Sequence, residues 1–265
     1  MDKRGIEWKR GVIMTFDEMD KQMRVYEQSL DQIIVPGIYI VARLDGRGFT
    51  KLTKEVCKFE APFDIKFRDL MIETVVELMQ NSGFKIIYGY TESDEISLLF
   101  DIDDNTFNRK VRKINTTLAG IASAKMSILM NMVVSFDCRV VPLPNKEKVI
   151  DYFMWRQEDS HRNSLNSWCY WTLRKEGYTA RQATKELCEK SVSYKNELLF
   201  QRGINFNDLP VWQRRGSGVY FKEYYKDAKN PITGDVTLVK REQLCNDFAL
   251  SYGDEYRQFI NNILK

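Results

Sequence analysis

The chain has 265 residues, 43% apolar and 29% charged, with 40 basic against 37 acidic side chains. That composition excludes wholesale disorder, and a net charge of +3 is too mild to mark a polyanion binder without local clustering. Five scattered cysteines (Cys57, Cys138, Cys169, Cys188, Cys245) and a lone histidine, His161, exclude a zinc ribbon, a disulfide framework and an HExxH site, which leaves carboxylates for any metal or acid–base work.

The start, MDKRGIEWKR, lacks the apolar core of a signal peptide, and no apolar run suits a membrane span, so a cytoplasmic protein without a membrane partner is expected. Thr15 and Glu18 form a capping box ahead of Phe16, Met19, Met23 and Tyr26, which predicts a helix over 16–31. After Pro36-Gly37, Ile38 to Leu44 is a β-branched apolar run that ends at Asp45-Gly46-Arg47-Gly48. Pro62 opens a second helix that closes at Asn81-Ser82-Gly83. Strands follow over 84–90 and 96–100, joined by the acidic tip Thr91 to Glu95. A long helix is predicted over 106–131 and a strand over 133–141. Helices over 146–158, 163–176, 179–190 and 194–201 come next. A β pair is expected at 219–225 and 236–240 around the turn 229–234, then a helix over 241–263.

The order β-α-β-β-α-β predicts an α+β fold with a ferredoxin-like unit. It divides the chain into a catalytic part over 15–141 and a mostly helical part over 142–265, with the seam at Pro142-Leu-Pro-Asn145. The expected sheet order 4-1-3-2 sets the first strand antiparallel to the third. The end of one then meets the start of the other, which joins Asp45 and Asp94 across 49 positions. Two such carboxylates repel unless a cation lies between them, and magnesium, a hard ion with oxygen ligands, suits them. A pair of these ions serves phosphoryl transfer. Gly46 would let its carbonyl approach a metal, and the N–H groups of Gly46-Arg47-Gly48 would face a triphosphate. The competing reading is a plain turn and a solvated hairpin. Glu95 should face away from Asp94 as a structural partner.

Arg109, Lys110, Arg112 and Lys113 cluster at the start of the long helix, where either phosphate or solvent would suit them. Arg156, Gln157, Arg162, Asn163 and Asn166 around His161 suit a polar groove for phosphate or base edges. Trp168, Tyr170 and Trp171 read as core. Arg214 to Gly218 reads as a glycine-rich turn rather than a phosphate cradle.

Arg43-Leu-Asp-Gly-Arg-Gly-Phe-Thr50, Thr91-Glu-Ser-Asp-Glu-Ile-Ser97, Trp155-Arg-Gln157, His161 to Asn166 and Lys195-Asn-Glu-Leu-Leu-Phe200 stand in the order found in the tRNA-histidine guanylyltransferase family. The chain resembles that family over about 15–225. The resemblance implies a polymerase-like or cyclase-like palm that extends RNA at its 5′ end. It implies that Asp45 and Asp94 hold two Mg2+ ions with the Gly46 carbonyl, as catalytic ligands. Asp45, Gly46, Arg47, Gly48, Phe49, Thr50, Ser93 and Asp94 would line the nucleotide site, with Lys113, Arg109 and Lys110 on the triphosphate. His161, Asn163, Asn166 and Lys195 would serve the activated 5′ end or bind tRNA. ATP or GTP would activate a tRNA 5′-monophosphate, which the 3′-hydroxyl of an incoming nucleotide attacks. A homotetramer is expected.

Two departures bear on the branch. His161-Arg-Asn-Ser-Leu-Asn-Ser167 stands where eukaryotic members carry HINNLYN, and Ala61 stands where a lysine precedes Pro-x-Asp. Both resemble the guanylyltransferase-like branch outside eukaryotes, which implies templated repair of 5′-truncated tRNA. Untemplated guanylylation of tRNA-histidine, a nucleotidyl cyclase and a catalytically silent tRNA-binding protein are the alternatives.

Overall fold

Residues 39–42 are apolar on both faces, as a strand must be where it is covered on both sides, and Arg43 and Asp45 then break one face in the run 39–46. In the computed structural model, which describes residues 6–7, 13–229 and 236–264, this run is β1 (Tyr39–Gly46). It lies second in a six-stranded sheet with β2 (Ile86–Glu92), β3 (Glu95–Phe100), β4 (Phe136–Leu143), β5 (Ser217–Lys229) and β6 (Val236–Asp247). The order is β4-β1-β3-β2-β5-β6, and every neighbouring pair is antiparallel. The first four strands therefore stand in the expected 4-1-3-2 arrangement.

Alternate residues sort the sheet's two faces. Ile40, Ala42, Leu44, Ile96, Leu98 and Phe100 pack with α2 (Ile65–Asn81) and α3 (Val111–Met130) through Met71, Val75, Leu78, Ile114 and Leu118. On the other face Val41, Tyr88, Tyr90 and Leu99 meet α4 (Lys146–Lys175), through Val149 and Phe153, and a C-terminal helix over Asp254–Ile263, through Tyr256 and Ile260. Burying each such side chain contributes about 1.5–3 kcal/mol. The N-terminal helix α1 (Phe16–Gln28) has the predicted Thr15–Glu18 capping box, yet none of its residues is buried.

Two expectations are corrected. The helices expected over 146–158 and 163–176 are one helix, α4, about 45 Å long at 1.5 Å per residue. The polar run between them holds no glycine or proline, and Arg156 pairs with Asp159 one turn on. Its C-terminal half leaves the sheet and packs Leu165, Cys169 and Leu173 against α5 (Ala180–Leu187) and α6 (Val192–Phe200). The expected C-terminal helix over 241–263 is helical only from Asp254. Residues 236–247 pair with β5 from Lys229↔Val236 to Gly218↔Asp247, so a long-range partner overrides local helix preference. The β pair expected at 219–225 and 236–240 continues the main sheet, because Tyr88↔Tyr220 and Thr91↔Ser217 join it to β2. Most of the turn expected over 229–234 lies outside the described residues. Among the described residues no helix is long and apolar enough to cross a membrane.

Candidate active site

β1 ends beside the β2–β3 hairpin. Asp45 stands opposite Glu95 in register, and the Gly46 N–H donates to the Asp94 carbonyl at 3.0 Å. The hairpin turns through Ser93 in a left-handed conformation, φ +49°, and the Ser93 hydroxyl donates to Asp94 Oδ1 at 3.1 Å. Gly46 has a steric reason to be glycine: a Cβ there would sit 2.5 Å from the Phe49 ring. Phe49 itself is buried against Phe136 and Phe67, with ring centroids 5.0 and 6.0 Å away, so it buttresses the Asp45-Gly46 backbone.

Burial pushes the Asp94 carboxyl up to about 6, and the neighbouring charges of Asp45 and Glu95 act in the same direction. A cation between Asp45 and Asp94 would relieve both causes. Among the described residues no three carboxylate, imidazole or thiol groups form a metal cage. The oxygen-only donors fit a hard divalent ion that keeps positions open for water and phosphate.

Beneath the tip lies an ion network. Glu95 accepts from Arg43 at 3.1 Å and from Arg156 at 2.7 Å, and Arg156 also reaches Asp159 at 3.0 Å. Glu95 is thus a structural partner, as expected. Arg156 and Gln157 are buried and committed, Gln157 to the Ser251 carbonyl at 2.9 Å, so neither serves the expected polar groove. Burial pushes the neighbouring Glu92 up to about 8 even though the Arg156 charge opposes it. In an unfolded chain Glu92 loses its proton near 4.5, so unfolding releases a proton between about pH 4.5 and 8 and stability falls as pH rises through that window. Glu92→Gln is expected to flatten this slope and to gain about 1–2 kcal/mol at pH 7, read from denaturant midpoints across pH.

Asp94 faces a cleft of about 710 Å³, a size typical of small-molecule sites. Its walls include Phe49, Thr50, Ser93, Asn163, Ser167, Tyr170, Trp171, Phe63 and Trp212. Of the predicted residues, the fold brings Thr50, Phe49, Ser93, Asp94 and Asn163 to one cavity; Asp45 and Gly46 do not line it but adjoin Asp94 through the Gly46–Asp94 hydrogen bond. Trp168 and Tyr170 pack against the core under α4, as expected, and Tyr170 and Trp171 also line the cleft. Asp64 and Glu92, each from a segment the sequence marked, also line it, as do Lys54, Arg174 and Trp212, which carried no sequence signal because their spacing shows nothing until the loops fold over one another.

Other expectations are corrected. The N–H groups of Gly46 and Arg47 bond to the Asp94 and Ser135 carbonyls, so they do not face a triphosphate. The buried Arg109 guanidinium donates to the carbonyls of Ile34, Ile38, Ile102 and Asp104. Ile38 precedes β1 while Asp45 nears its end, about 23 Å on at 3.3 Å per residue. Lys110 pairs with Asp31 at 2.8 Å at that same distant end, and the Lys113 ammonium lies over the Phe107 ring. Within one chain these three do not reach Asp94. His161 packs edge-on to Phe206 with its Nδ1 buried and unpartnered, and burial plus the Arg215 charge holds its pKa below the usual value. His161, Asn166 and Lys195 do not line the cleft. Arg214 and Arg215 end a short helix, and Gly216, at φ +74°, turns the chain into β5 under Tyr90.

A split βαβ sheet with an aspartate at one strand end and another at the adjoining hairpin defines a palm-type nucleotidyltransferase. The comparisons agree. The family model described as tRNAHis guanylyltransferase matches residues 20–144, and the Thg1 C terminal domain matches 147–243. A probable tRNA(His) guanylyltransferase of Drosophila melanogaster is 36% identical over 74% of this chain and 70% of its own length. One from Dictyostelium discoideum is 33% identical over 82% and 88%. A bacterial tRNA(His) guanylyltransferase (Thg1)-like protein in complex with ATP superposes with a TM-score of 0.71 at 25% identity, covering 93% of this chain and 99% of its own. The Saccharomyces cerevisiae tRNA(His) guanylyltransferase gives 0.67 at 30% identity, covering 74% and 91%. The chain belongs to the tRNA(His) guanylyltransferase family, and it is a nucleotidyltransferase enzyme.

Proposed function

We propose that this enzyme adds nucleotides to the 5′ end of tRNA, in the 3′–5′ direction, after ATP or GTP activates the 5′-monophosphate. The observation that carries the reading is the meeting of Asp45 and Asp94 at adjoining strand ends, with Asp94 lining a cleft of about 710 Å³. Asp45, Asp94 and the Gly46 carbonyl would hold two Mg2+ ions. When bound, these ions supply charge for an attacking hydroxyl and a leaving phosphate oxygen. Ser93 orients the Asp94 carboxylate, Phe49 fixes the Gly46 backbone, and Tyr170 and Trp171 offer aromatic faces for bases. Thr50 and Asn163 present polar groups to the nucleotide or the RNA end. Complexes of bacterial Thg1-like relatives with ATP and with GTP support nucleotide binding in such a site.

Templated repair of 5′-truncated tRNA is the finer reading. Ala61 and Asn166 support it, as does the likeness to Thg1-like structures over 93% of the chain. A homotetramer fits α1, which leaves Phe16, Met23 and Tyr26 exposed among the described residues. The test is a 5′-truncated tRNA incubated with each NTP separately, with magnesium present or chelated. Addition that follows the opposing base supports repair. Guanosine added regardless of that base favours the tRNA-histidine activity, and cyclic nucleotide without RNA overturns the proposal.

A further inference from the structure

The cleft carries a cation that forms no ion pair among the described residues. Its lining includes Lys54, Arg68 and Arg174. Arg68 is paired with Asp69 at 2.7 Å, and Arg174 donates to the Tyr178 carbonyl at 3.1 Å. Lys54 has no carboxylate within ion-pairing distance among the described residues. The anion that acts on it is Asp64, which caps α2 and accepts from the backbone N–H groups of Glu60 at 2.8 Å, Lys66 at 2.7 Å and Phe67 at 3.4 Å.

The fold nonetheless holds the Lys54 ammonium in place. It donates to the Glu60 carbonyl at 3.2 Å and the Pro62 carbonyl at 3.0 Å, and it sits 5.8 Å from the Trp171 ring centroid. Two carbonyls use two of its three N–H groups, so one donor and a full positive charge remain. The side chain is half-buried, and that burial holds its pKa below the usual lysine value. A half-desolvated, pre-positioned ammonium in a cavity shared with Asp94 is a site for an anion. A bound divalent ion at Asp94 and a cation at Lys54 would grip a phosphate chain from two sides.

We propose that Lys54 is a phosphate-binding residue of this enzyme, contacting a phosphate of the nucleoside triphosphate or of the RNA 5′ end. The proposal rests on the cleft being the nucleotide-addition site. The two phosphate sources separate in binding assays on the full chain. Wild type and Lys54→Met are titrated with GTP and guanosine, and with tRNA carrying either a 5′-monophosphate or a 5′-hydroxyl. Loss of one charge-assisted contact is expected to weaken GTP binding about 10-fold or more while guanosine binding holds. If the RNA end is the source, the preference for 5′-phosphorylated over 5′-hydroxyl tRNA shrinks by a similar factor instead. A lysine that merely staples the 52–64 loop would lower all affinities together. Ratios equal to wild type in both pairs overturn the proposal.

Should Lys54→Met fail to fold, Lys54→Gln keeps a donor for the loop carbonyls without the charge, and the same ratios decide. Lys54→Arg, which keeps the charge, is expected to retain most of the phosphate preference. Nucleotide addition by wild type runs alongside. Wild type that adds nucleotides while the Lys54 ratios stay flat sinks only the lysine assignment. Wild type that adds none, yet loses phosphate preference on Lys54→Met, sinks the function instead.

Discussion

Asp94→Ala and Asp45→Ala are each expected to lower nucleotide addition by at least about 100-fold, the scale for losing one preorganised electrostatic element of a site. Single-turnover addition to 5′-truncated tRNA reads the effect. Stability should move the other way. The Asp94 carboxyl titrates near 6 in the fold against 3.8 normally. Between those values unfolding releases a proton, so the ionised group opposes folding in the absence of a cation, and that cost is fully present at pH 7. Asp94→Asn should therefore match or exceed wild type in metal-free thermal unfolding while losing activity. It should also lose any stabilisation that added magnesium gives wild type. A variant that keeps adding nucleotides would remove the chemical basis of the proposed function.

Arg156→Met is expected to cost about 3 kcal/mol of folding stability, the low end of the range for breaking a buried pair. Arg156 is 2% exposed and binds Glu95 and Asp159, which keep 24% and 31% of their side-chain surface and so recover some hydration. Arg43 still holds the other Glu95 oxygen at 3.1 Å. The loss should appear as a lower denaturant midpoint with an unchanged slope. Glu95→Gln in the Arg156→Met background should restore part of it, because one stranded charge is gone. Nucleotide addition should fall as well, since Glu95 anchors the hairpin that carries Asp94. An Arg156→Met protein as stable as wild type would mean that the network contributes nothing net.

Much of the palm was legible before any coordinates. The apolar run at 38–44, its stop at Asp45-Gly46 and the acidic tip at 91–95 sufficed to pair β1 with β3 and to join the two aspartates. Local signals were strong there because each strand is buried on both faces and each turn carries its own punctuation. The basic cluster at 109–113 misled for an instructive reason. Its helix follows the far end of β3, whose near end adjoins Asp94, so the strand order itself sets the cluster at the opposite end from the aspartates. Arg109 is in fact a buried clasp for four carbonyls, a role invisible in a charge run.

The strand at 236–247 was misread as helix because its stability comes from β5, not from its own residues. The cleft was also beyond the reach of the sequence: Lys54, Asp64, Tyr170, Trp171 and Trp212 come from separate segments that share no spacing. By itself the sequence determined the order of the elements, the antiparallel first and third strands, and the pair of carboxylates they carry, because hydrophobic periodicity and turn chemistry act between near neighbours. Only the tertiary structure decided which charges are consumed by the fold and which remain for a ligand. Pairing and desolvation depend on groups far apart in the chain, and those distances exist only once it has folded.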